Sequence, residues 1–136
     1  MKTKILALDI YGTILCIDDP ENNMPVRKGF EDLVEKCNKH KIKIISSSDA
    51  NPELIKIDLA ESGVKLDIFK HFYYLTTSVK DFSKILKDYR IKPKELFVIG
   101  DSDKDILGAI NVGANYFRVP VYCISKDNFD LSKIFF

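Results

Sequence analysis

The sequence alternates short apolar runs with segments of helical periodicity, and this alternation restricts the fold more than any other feature. The apolar runs predict strands at residues 4–8, 41–45, 71–75, 96–99 and 115–119. The periodic segments predict helices at residues 27–40, 51–62, 82–89 and 102–111. Strands that alternate with helices form right-handed βαβ units. The sequence therefore predicts a three-layer α/β fold with a doubly wound, Rossmann-like parallel sheet of about five strands.

Length and composition favour one soluble domain over residues 1–136. The chain has 136 residues, of which 46% are hydrophobic and 30% are charged. A formal net charge of +1 supplies no attraction to nucleic acid or to an anionic membrane, so neither partner is expected. The cysteines, Cys16, Cys37 and Cys123, lack the spacing of a disulfide framework or a zinc site. Because no apolar run is long enough for a signal peptide or a membrane span, we expect a cytoplasmic protein.

Small or acidic polar residues follow three of the predicted strands. Asp9 comes directly after the first strand, Ser46 and Ser47 follow the second, and Asp101 follows the fourth. Parallel strands bring their carboxyl ends to one edge of the sheet, which is where α/β sheets bind ligands. We therefore expect these side chains to lie in one crevice.

Residues 7–15, with the sequence ALDIYGTIL, resemble the first motif of the haloacid dehalogenase superfamily. In that family a strand carries a nucleophilic aspartate into a turn that contains glycine, and Asp9 occupies the position of the aspartate. The resemblance covers about residues 4–119 in order and approximate spacing. It implies the fold of that superfamily and a Mg²⁺-dependent phosphatase that forms an aspartyl-phosphate at Asp9.

Three further motifs of the superfamily have matches in the sequence. Ser46 or Ser47 stands where the family has a serine or threonine. Lys80 is the best match for the family's lysine, and Lys84, one helical turn later, is the alternative. The segment GDSDKD at residues 100–105 looks like the acidic fourth motif.

Attack on a phosphate ester by a carboxylate needs positive charge nearby, because the ester repels anionic nucleophiles. Mg²⁺ suits this role because it is a hard cation that prefers oxygen ligands and binds substrate phosphate. Asp9 and Asp101 are the expected side-chain ligands. The resemblance adds the main-chain carbonyl of Tyr11 as a ligand. It also implies that Asp105 binds the ion through a water or holds Asp101 and the lysine in place.

The remaining candidate residues are expected to bind the phosphoryl group or to shape the turn around it. A hydroxyl of Ser46 or Ser47 would donate to a phosphoryl oxygen, and Lys80 would add a fixed positive charge. Gly12 permits a turn that is closed to larger residues. Thr13 is expected to hydrogen-bond the local backbone through its hydroxyl.

Tyr11 departs from the family pattern. Most phosphatases of the superfamily have an aspartate two residues after the nucleophile, which acts as an acid toward the leaving group and then as a base for water. A tyrosine with an ordinary pKa of about 10 is a poor substitute near neutral pH. Since general acid–base catalysis contributes about 10²–10⁴-fold, the sequence predicts a slow phosphatase. A binding or scaffold role without catalysis is the alternative.

Dehalogenation is a third interpretation, because a DxYGT motif is also typical of the haloacid dehalogenases themselves. Two features oppose it. Dehalogenases need no metal and do not normally keep a GDSxxD motif, and they close a helical cap over the substrate. Residues 14–41 provide only a short loop and one helix for such a cap. Displacement of halide by Asp9 is therefore the least favoured of the three functions.

The lack of room for a cap domain also bears on the substrate. The segment between Thr13 and Arg27 is long enough only for a small flap, so the crevice should be open to solvent. We expect a phosphorylated substrate, and the sequence leaves open whether it is a protein, a sugar phosphate or a nucleotide. The C-terminal residues 131–136 are too apolar to remain in water. They should dock on the body of the domain or on a second copy of the chain.

Overall fold

The structure, a computed structural model, describes residues 2–22, 24–124 and 129–136. Its sheet has five parallel strands in the order β3-β2-β1-β4-β5, which confirms the predicted fold class. The strands are β1 (Ile5–Leu8), β2 (Lys43–Ser46), β3 (Phe69–Phe72), β4 (Leu96–Gly100) and β5 (Asn115–Arg118). The α-helices are α1 (Phe30–Lys39), α2 (Pro52–Glu61), α3 (Ser83–Tyr89) and α4 (Asp103–Val112).

Helices cover both faces of the sheet. On one face, α1 and α2 contribute Leu33 and Leu59 to the first core cluster. On the other face, α3 and α4 contribute Ile85 and Ala109 to the second core cluster. All four residues of β1 are buried, as expected for a central strand that is packed on both sides.

The order of the strands reverses at β1, and this reversal opens a crevice. β1 pairs with β2 on one side and with β4 on the other, so that Leu8 lies opposite both Ser46 and Ile99. The connections that leave β1 and β4 run to helices on opposite faces of the sheet, which separates the two loops. The residues directly after these strands therefore border one crevice.

The beginnings of α1 and β2 differ from the predicted ones. The helix α1 begins at Phe30 rather than at Arg27, because Gly29 has φ of 86°, a left-handed conformation that interrupts a right-handed helix. The strand β2 begins at Lys43, because Lys41 has φ of 59° and belongs to the turn after α1. The sequence therefore predicts the start of both elements too early, inside the turns that precede them.

The strand β3 occupies Phe69–Phe72 rather than the predicted residues 71–75. The backbone N–H of Tyr73 still donates to the carbonyl of Ser46, the last residue of β2, and that of Leu75 donates to the carbonyl of Ser48, both at 3.0 Å. Both side chains are buried in the second core cluster. The aromatic run therefore continues the edge of the sheet beyond the regular strand.

The flap between the first motif and α1 is small. Ile14 and Leu15 are fully buried, so the flap starts in the core of the domain. Within the described part of this segment the helical structure is limited to the 3₁₀ turn Pro20–Asn22. Asn23, which belongs to the expected flap, lies outside the described residues.

The C-terminal segment docks on α1 of its own chain, which is one of the two expected locations. Leu131 and Ile134 are fully buried in the first core cluster. The Nζ atom of Lys36 donates to the main-chain oxygens of Ser132 at 3.2 Å and of Ile134 at 2.9 Å. Phe135 is 84% exposed. Assembly with a second copy of the chain stays a prediction.

Across the residues that the structure describes, no helix has both the length and the apolar character needed to cross a bilayer. The predicted cytoplasmic location and the single domain over residues 1–136 stay predictions.

Candidate active site

Three carboxylates meet in the crevice beside β1. Asp9, Asp101 and Asp105 each offer an oxygen, and these oxygens lie within 4.8 Å of one another. Asp9 and Asp105 are buried, and Asp101 is half-buried. The hydroxyl of Thr13 lies 3.2 Å from an oxygen of Asp9 and 3.2 Å from an oxygen of Asp101. Thr13 therefore contacts the carboxylates themselves, whereas the sequence predicted a contact with the local backbone.

Lys80 supplies the positive charge of this cluster. Its Nζ atom lies 3.1 Å from Oδ1 of Asp9 and also donates to Oδ1 of Asp105. The Lys80 side chain is only 2% exposed. Lys84, the alternative from the sequence, is 66% exposed and pairs with Asp88 at 3.6 Å. The structure therefore brings Lys80, and not Lys84, to the carboxylates.

The position of Lys80 depends on close packing against α4. The backbone N–H of Lys80 donates to the carbonyl of Lys104 at 3.1 Å. A Cβ atom at Gly108 would lie 2.3 Å from the carbonyl oxygen of Lys80, which is too close for any side chain. Gly108 therefore lets the backbone of Lys80 approach the helix. Since Gly108 lies outside every recognised motif, the sequence analysis did not find it.

The pKa shifts reflect the burial of the cluster and the charges within it. Burial is the largest cause that raises the pKa of Asp9, Lys80 opposes it and Asp101 adds to it, and the net value is about 7. Burial and then the charge of Asp9 raise the pKa of Asp105, against the opposing effect of Lys80. Burial alone would lower the pKa of Lys80, but Asp9 and Asp105 outweigh it and raise that pKa. One ammonium therefore does not balance three neighbouring carboxylates.

The donor set fits a hard divalent cation. Carboxylate oxygens are the ligands that Mg²⁺ prefers, and a second positive charge would offset the repulsion within the cluster. Asp105 is the least available of the three, because Lys80 bonds to Oδ1 and the hydroxyl of Ser102 donates to Oδ2 at 3.0 Å. Ser102 is the residue before α4, but its side chain makes no cap hydrogen bond to that helix and instead holds Asp105.

Two of the three consecutive serines at the end of β2 have hydroxyls without a hydrogen-bond partner among the described residues. Ser46 and Ser47 are both fully buried, and neither Oγ atom is bonded. The Oγ atom of Ser48 instead accepts a hydrogen bond from the backbone N–H of Ala50 at 3.1 Å. Ser48 therefore stabilises the turn before α2.

The strand register separates Ser46 from Ser47. Ser46 lies opposite Leu8, whose side chain belongs to the first core cluster. Because neighbouring side chains in register point to the same face, Ser46 faces that cluster. Ser47 is the next residue and its backbone N–H bonds to the carbonyl of Leu8 at 2.9 Å, which brings it level with Asp9. Ser47 and Asp9 therefore share the face on which Lys80 lies.

Gly12 is required where the turn after Asp9 meets Asp101. It has φ of +79°, a left-handed conformation that favours glycine. A Cβ atom there would lie 2.5 Å from Oδ2 of Asp101. A side chain at residue 12 would have to displace this carboxylate, so glycine suits the close approach of the turn to Asp101.

The hydroxyl of Tyr11 points to a residue that the sequence analysis did not find. It donates to Oδ2 of Asp58, on α2, at 2.5 Å. Burial and this carboxylate raise the pKa of Tyr11 above its ordinary value. The phenol proton is therefore held more tightly than in a solvated tyrosine. Asp58 carried no signal in the sequence, because it belongs to no motif and contacts Tyr11 only through the fold.

Residues 21–113 match the family model described as haloacid dehalogenase-like hydrolase, and this segment is well over half of the chain. The chain belongs to the haloacid dehalogenase-like hydrolase family. The matched segment of this hydrolase contains Ser46, Ser47 and all the residues from Lys80 to Asp105, whereas Asp9 and Tyr11 precede it.

Several solved structures have a similar fold. A predicted phosphoglycolate phosphatase from Haemophilus somnus 129pt superposes with a TM-score of 0.73 and 11% identity, over 93% of this hydrolase and 89% of that chain. A family enzyme from Bacteroides thetaiotaomicron, in complex with magnesium and inorganic phosphate, superposes with a TM-score of 0.68 and 16% identity, over 92% of this hydrolase and 96% of that chain. A superfamily hydrolase from Ehrlichia chaffeensis superposes with a TM-score of 0.69 and 17% identity, over 95% of this hydrolase and 94% of that chain. At these identities the similarity shows the fold alone. No match was found among curated protein sequences.

Proposed function

We propose that this hydrolase cleaves phosphate esters in the presence of Mg²⁺ through an aspartyl-phosphate at Asp9. The observation that carries the proposal is the position of Asp9, which is buried beside two further carboxylates and 3.1 Å from the ammonium of Lys80. A carboxylate in this setting has both a counter-charge and a donor set for a hard cation. The complex of the Bacteroides enzyme with magnesium and phosphate supports the same chemistry on the same fold.

The side chains of Asp9 and Asp101, with the main-chain carbonyl of Tyr11, would hold Mg²⁺. Bound there, the ion would supply positive charge that offsets the charges of the phosphate and of Asp9. Asp105 reaches the ion at most through a water, because both of its oxygens already have partners. Its role is to keep Lys80 directed at Asp9.

In the first half of the reaction, a carboxylate oxygen of Asp9 attacks phosphorus. The bond from phosphorus to the ester oxygen breaks, and the alcohol leaves with a proton taken from solvent. Lys80 offsets the negative charge on the phosphoryl oxygens, and the hydroxyl of Ser47 donates to one of them. In the second half, a water attacks the same phosphorus, which releases inorganic phosphate and the Asp9 carboxylate.

The acid–base step is the weak point of this site. The Tyr11 hydroxyl is bonded to Asp58, and its pKa is raised, so it is a poor proton donor at neutral pH. We therefore expect slow turnover and a preference for esters with good leaving groups. The same hydrogen bond favours the second candidate function, a binding or scaffold domain without catalysis.

Hydrolysis of an aryl phosphate, measured with Mg²⁺ and with a chelator, tests the proposal. We expect activity only with the metal and none in Asp9→Asn, because the amide keeps the shape of the side chain but cannot attack. Activity that survives chelation, or a near-normal rate in Asp9→Asn, would contradict the proposal. Release of halide from a 2-haloacid would assign the chain to dehalogenation instead.

A further inference from the structure

Arg27 is a buried cation that no motif predicts. It is only 1% exposed. Its Nη2 atom donates to the carbonyl of Pro120 at 2.5 Å, and its guanidinium carbon lies 5.1 Å from the centroid of the Tyr122 ring. The Nε and Nη1 atoms have no hydrogen-bond partner among the described residues. A buried charge with so few partners costs free energy, so core packing alone does not explain the arginine.

The residues that Arg27 contacts belong to the segment after β5, here called the 119–124 loop. The backbone N–H of Tyr122 donates to the carbonyl of Gly12 at 2.7 Å. The backbone N–H of Val119, at the start of the loop, donates to the carbonyl of Gly100 at 2.9 Å. The loop is therefore bonded both to the turn after Asp9 and to the residue before Asp101.

Arg27 is also bonded to that turn through its own backbone. Its N–H donates to the carbonyl of Ile14 at 2.7 Å. The contacts thus form a closed ring, which runs from the turn to Arg27, through the guanidinium to the 119–124 loop, and through Tyr122 back to Gly12. Asp101 lies next to this ring, because a Cβ atom at Gly12 would lie 2.5 Å from its Oδ2 atom.

We propose that Arg27 is a positioning residue that holds the 119–124 loop against the turn at Gly12 and so keeps Asp101 beside Asp9 for metal binding. The part of this inference that concerns Mg²⁺ rests on the proposed function. The part that concerns the position of the 119–124 loop does not. The charge of Asp101 also acts on Arg27. Burial lowers the pKa of the Arg27 guanidinium, and Asp101 opposes this by raising it. Arg27 itself touches neither metal nor substrate.

Arg27→Met removes the charge and the hydrogen bond but keeps a long side chain. We expect amide hydrogen exchange at Tyr122, followed by NMR, to become about tenfold faster or more, because the loop loses a hydrogen bond from a charged group. We expect the Kd for Mg²⁺, measured by calorimetry, to rise by about tenfold, as is typical when a residue that supports a ligand is lost. The melting temperature should not fall, because replacement of a poorly paired buried charge by an apolar group is often neutral or stabilising.

Arg118→Met is the matched control. Arg118 is also an arginine near the site, but it is exposed and pairs with Asp103 on the surface at 2.5 Å. We expect this variant to leave both the Tyr122 exchange rate and the Kd for Mg²⁺ within about twofold of the wild type. The comparison separates the loss of the Arg27 contacts from the loss of one positive charge.

A folded Arg27→Met protein with unchanged exchange at Tyr122 and unchanged Mg²⁺ affinity would overturn the inference. If Arg27→Met does not fold, Tyr122→Leu is the second variant, because it removes the ring that the Arg27 guanidinium contacts. The exchange rate of the backbone N–H at residue 122 and the Kd for Mg²⁺ then decide the inference. If the wild type itself binds no Mg²⁺, the proposed function fails, and the exchange rate at Tyr122 still decides whether Arg27 holds the loop.

Discussion

The ammonium of Lys80 lies 3.1 Å from Oδ1 of Asp9, although the two residues are 71 positions apart in the sequence. The same ammonium donates to Asp105, so Lys80 joins the residue after β1 to the first turn of α4. This pairing places a positive charge beside Asp9. Lys84, four residues after Lys80, is exposed and pairs with Asp88, so the effects of removing the two lysines can be compared directly.

Lys80→Met should reduce phosphatase activity by about 10²–10³-fold, because it removes the fixed positive charge beside the attacking carboxylate. Lys84→Met is the control, since Lys84 is exposed and pairs only with Asp88 in the described structure. Its rate should stay within about twofold of the wild type. Steady-state kinetics on an aryl phosphate, with circular dichroism to verify folding, measures both. Equal losses in the two variants would contradict the assignment of Lys80.

Ser47→Ala should lower activity by about tenfold and leave the stability unchanged or slightly higher. The Ser47 hydroxyl is buried without a partner in the described residues, so its removal breaks no bond in the fold. Ser46→Ala has the same chemistry on the opposite face of the sheet, and we expect it to leave the rate unchanged. A larger activity loss in Ser46→Ala than in Ser47→Ala would show that the register argument selects the wrong serine.

The metal-free protein should lose stability as the pH rises. Burial, partly opposed by Lys80, raises the pKa of Asp9 from its ordinary value of 3.8 to about 7 in the folded chain. Between these values the folded chain binds more protons than the unfolded chain, so the free energy of unfolding falls as the pH increases. Melting temperatures in a chelator, from about pH 5 to about pH 8, should therefore decline more steeply in the wild type than in Asp9→Asn.

Mg²⁺ should reverse this trend, because the ion binds the deprotonated carboxylates and its affinity rises with pH. The Asp9→Asn protein serves as the reference for all other groups that titrate in this range. Parallel melting curves for the two proteins in the chelator would mean that Asp9 titrates normally.

The parts of the site that the sequence could predict are those encoded next to a strand. Asp9 and Asp101 follow β1 and β4 directly, and adjacent parallel strands bring such residues together whatever the details of packing. The crevice, the acidic cluster and the turn at Gly12 follow from this local information. The predicted phosphatase chemistry rests on the same residues.

The parts that the sequence left open depend on contacts between distant segments. The choice between Lys80 and Lys84 is made by the close approach of the Lys80 backbone to Gly108. The difference between Ser46 and Ser47 is a matter of register, where a shift of one residue reverses the face. Arg27 and Asp58 act through side-chain contacts with residues far along the chain, and no pattern in the sequence marks them.

The bond between Tyr11 and Asp58 leads to the prediction that separates a slow enzyme from a scaffold. If Asp9 attacks an activated phosphate donor but no group activates water, the aspartyl-phosphate should accumulate. A burst of alcohol release, and phosphorylated Asp9 in acid-quenched protein, would show this accumulation. Tyr11→Phe removes the hydroxyl and keeps the ring, so it should leave the rate of hydrolysis unchanged.

Tyr11→Asp restores a carboxylate at the position two residues after the nucleophile. We expect it to raise the hydrolysis of esters with poor leaving groups by up to about 10²-fold, because it supplies the missing acid and base. The half-buried ring packs against the first core cluster, and the shorter side chain cannot replace it, so the melting temperature should fall. Rates are therefore compared only below the unfolding transition. A folded Tyr11→Asp protein that binds neither Mg²⁺ nor phosphate would favour the scaffold function, because the site would then fail before any proton transfer is needed.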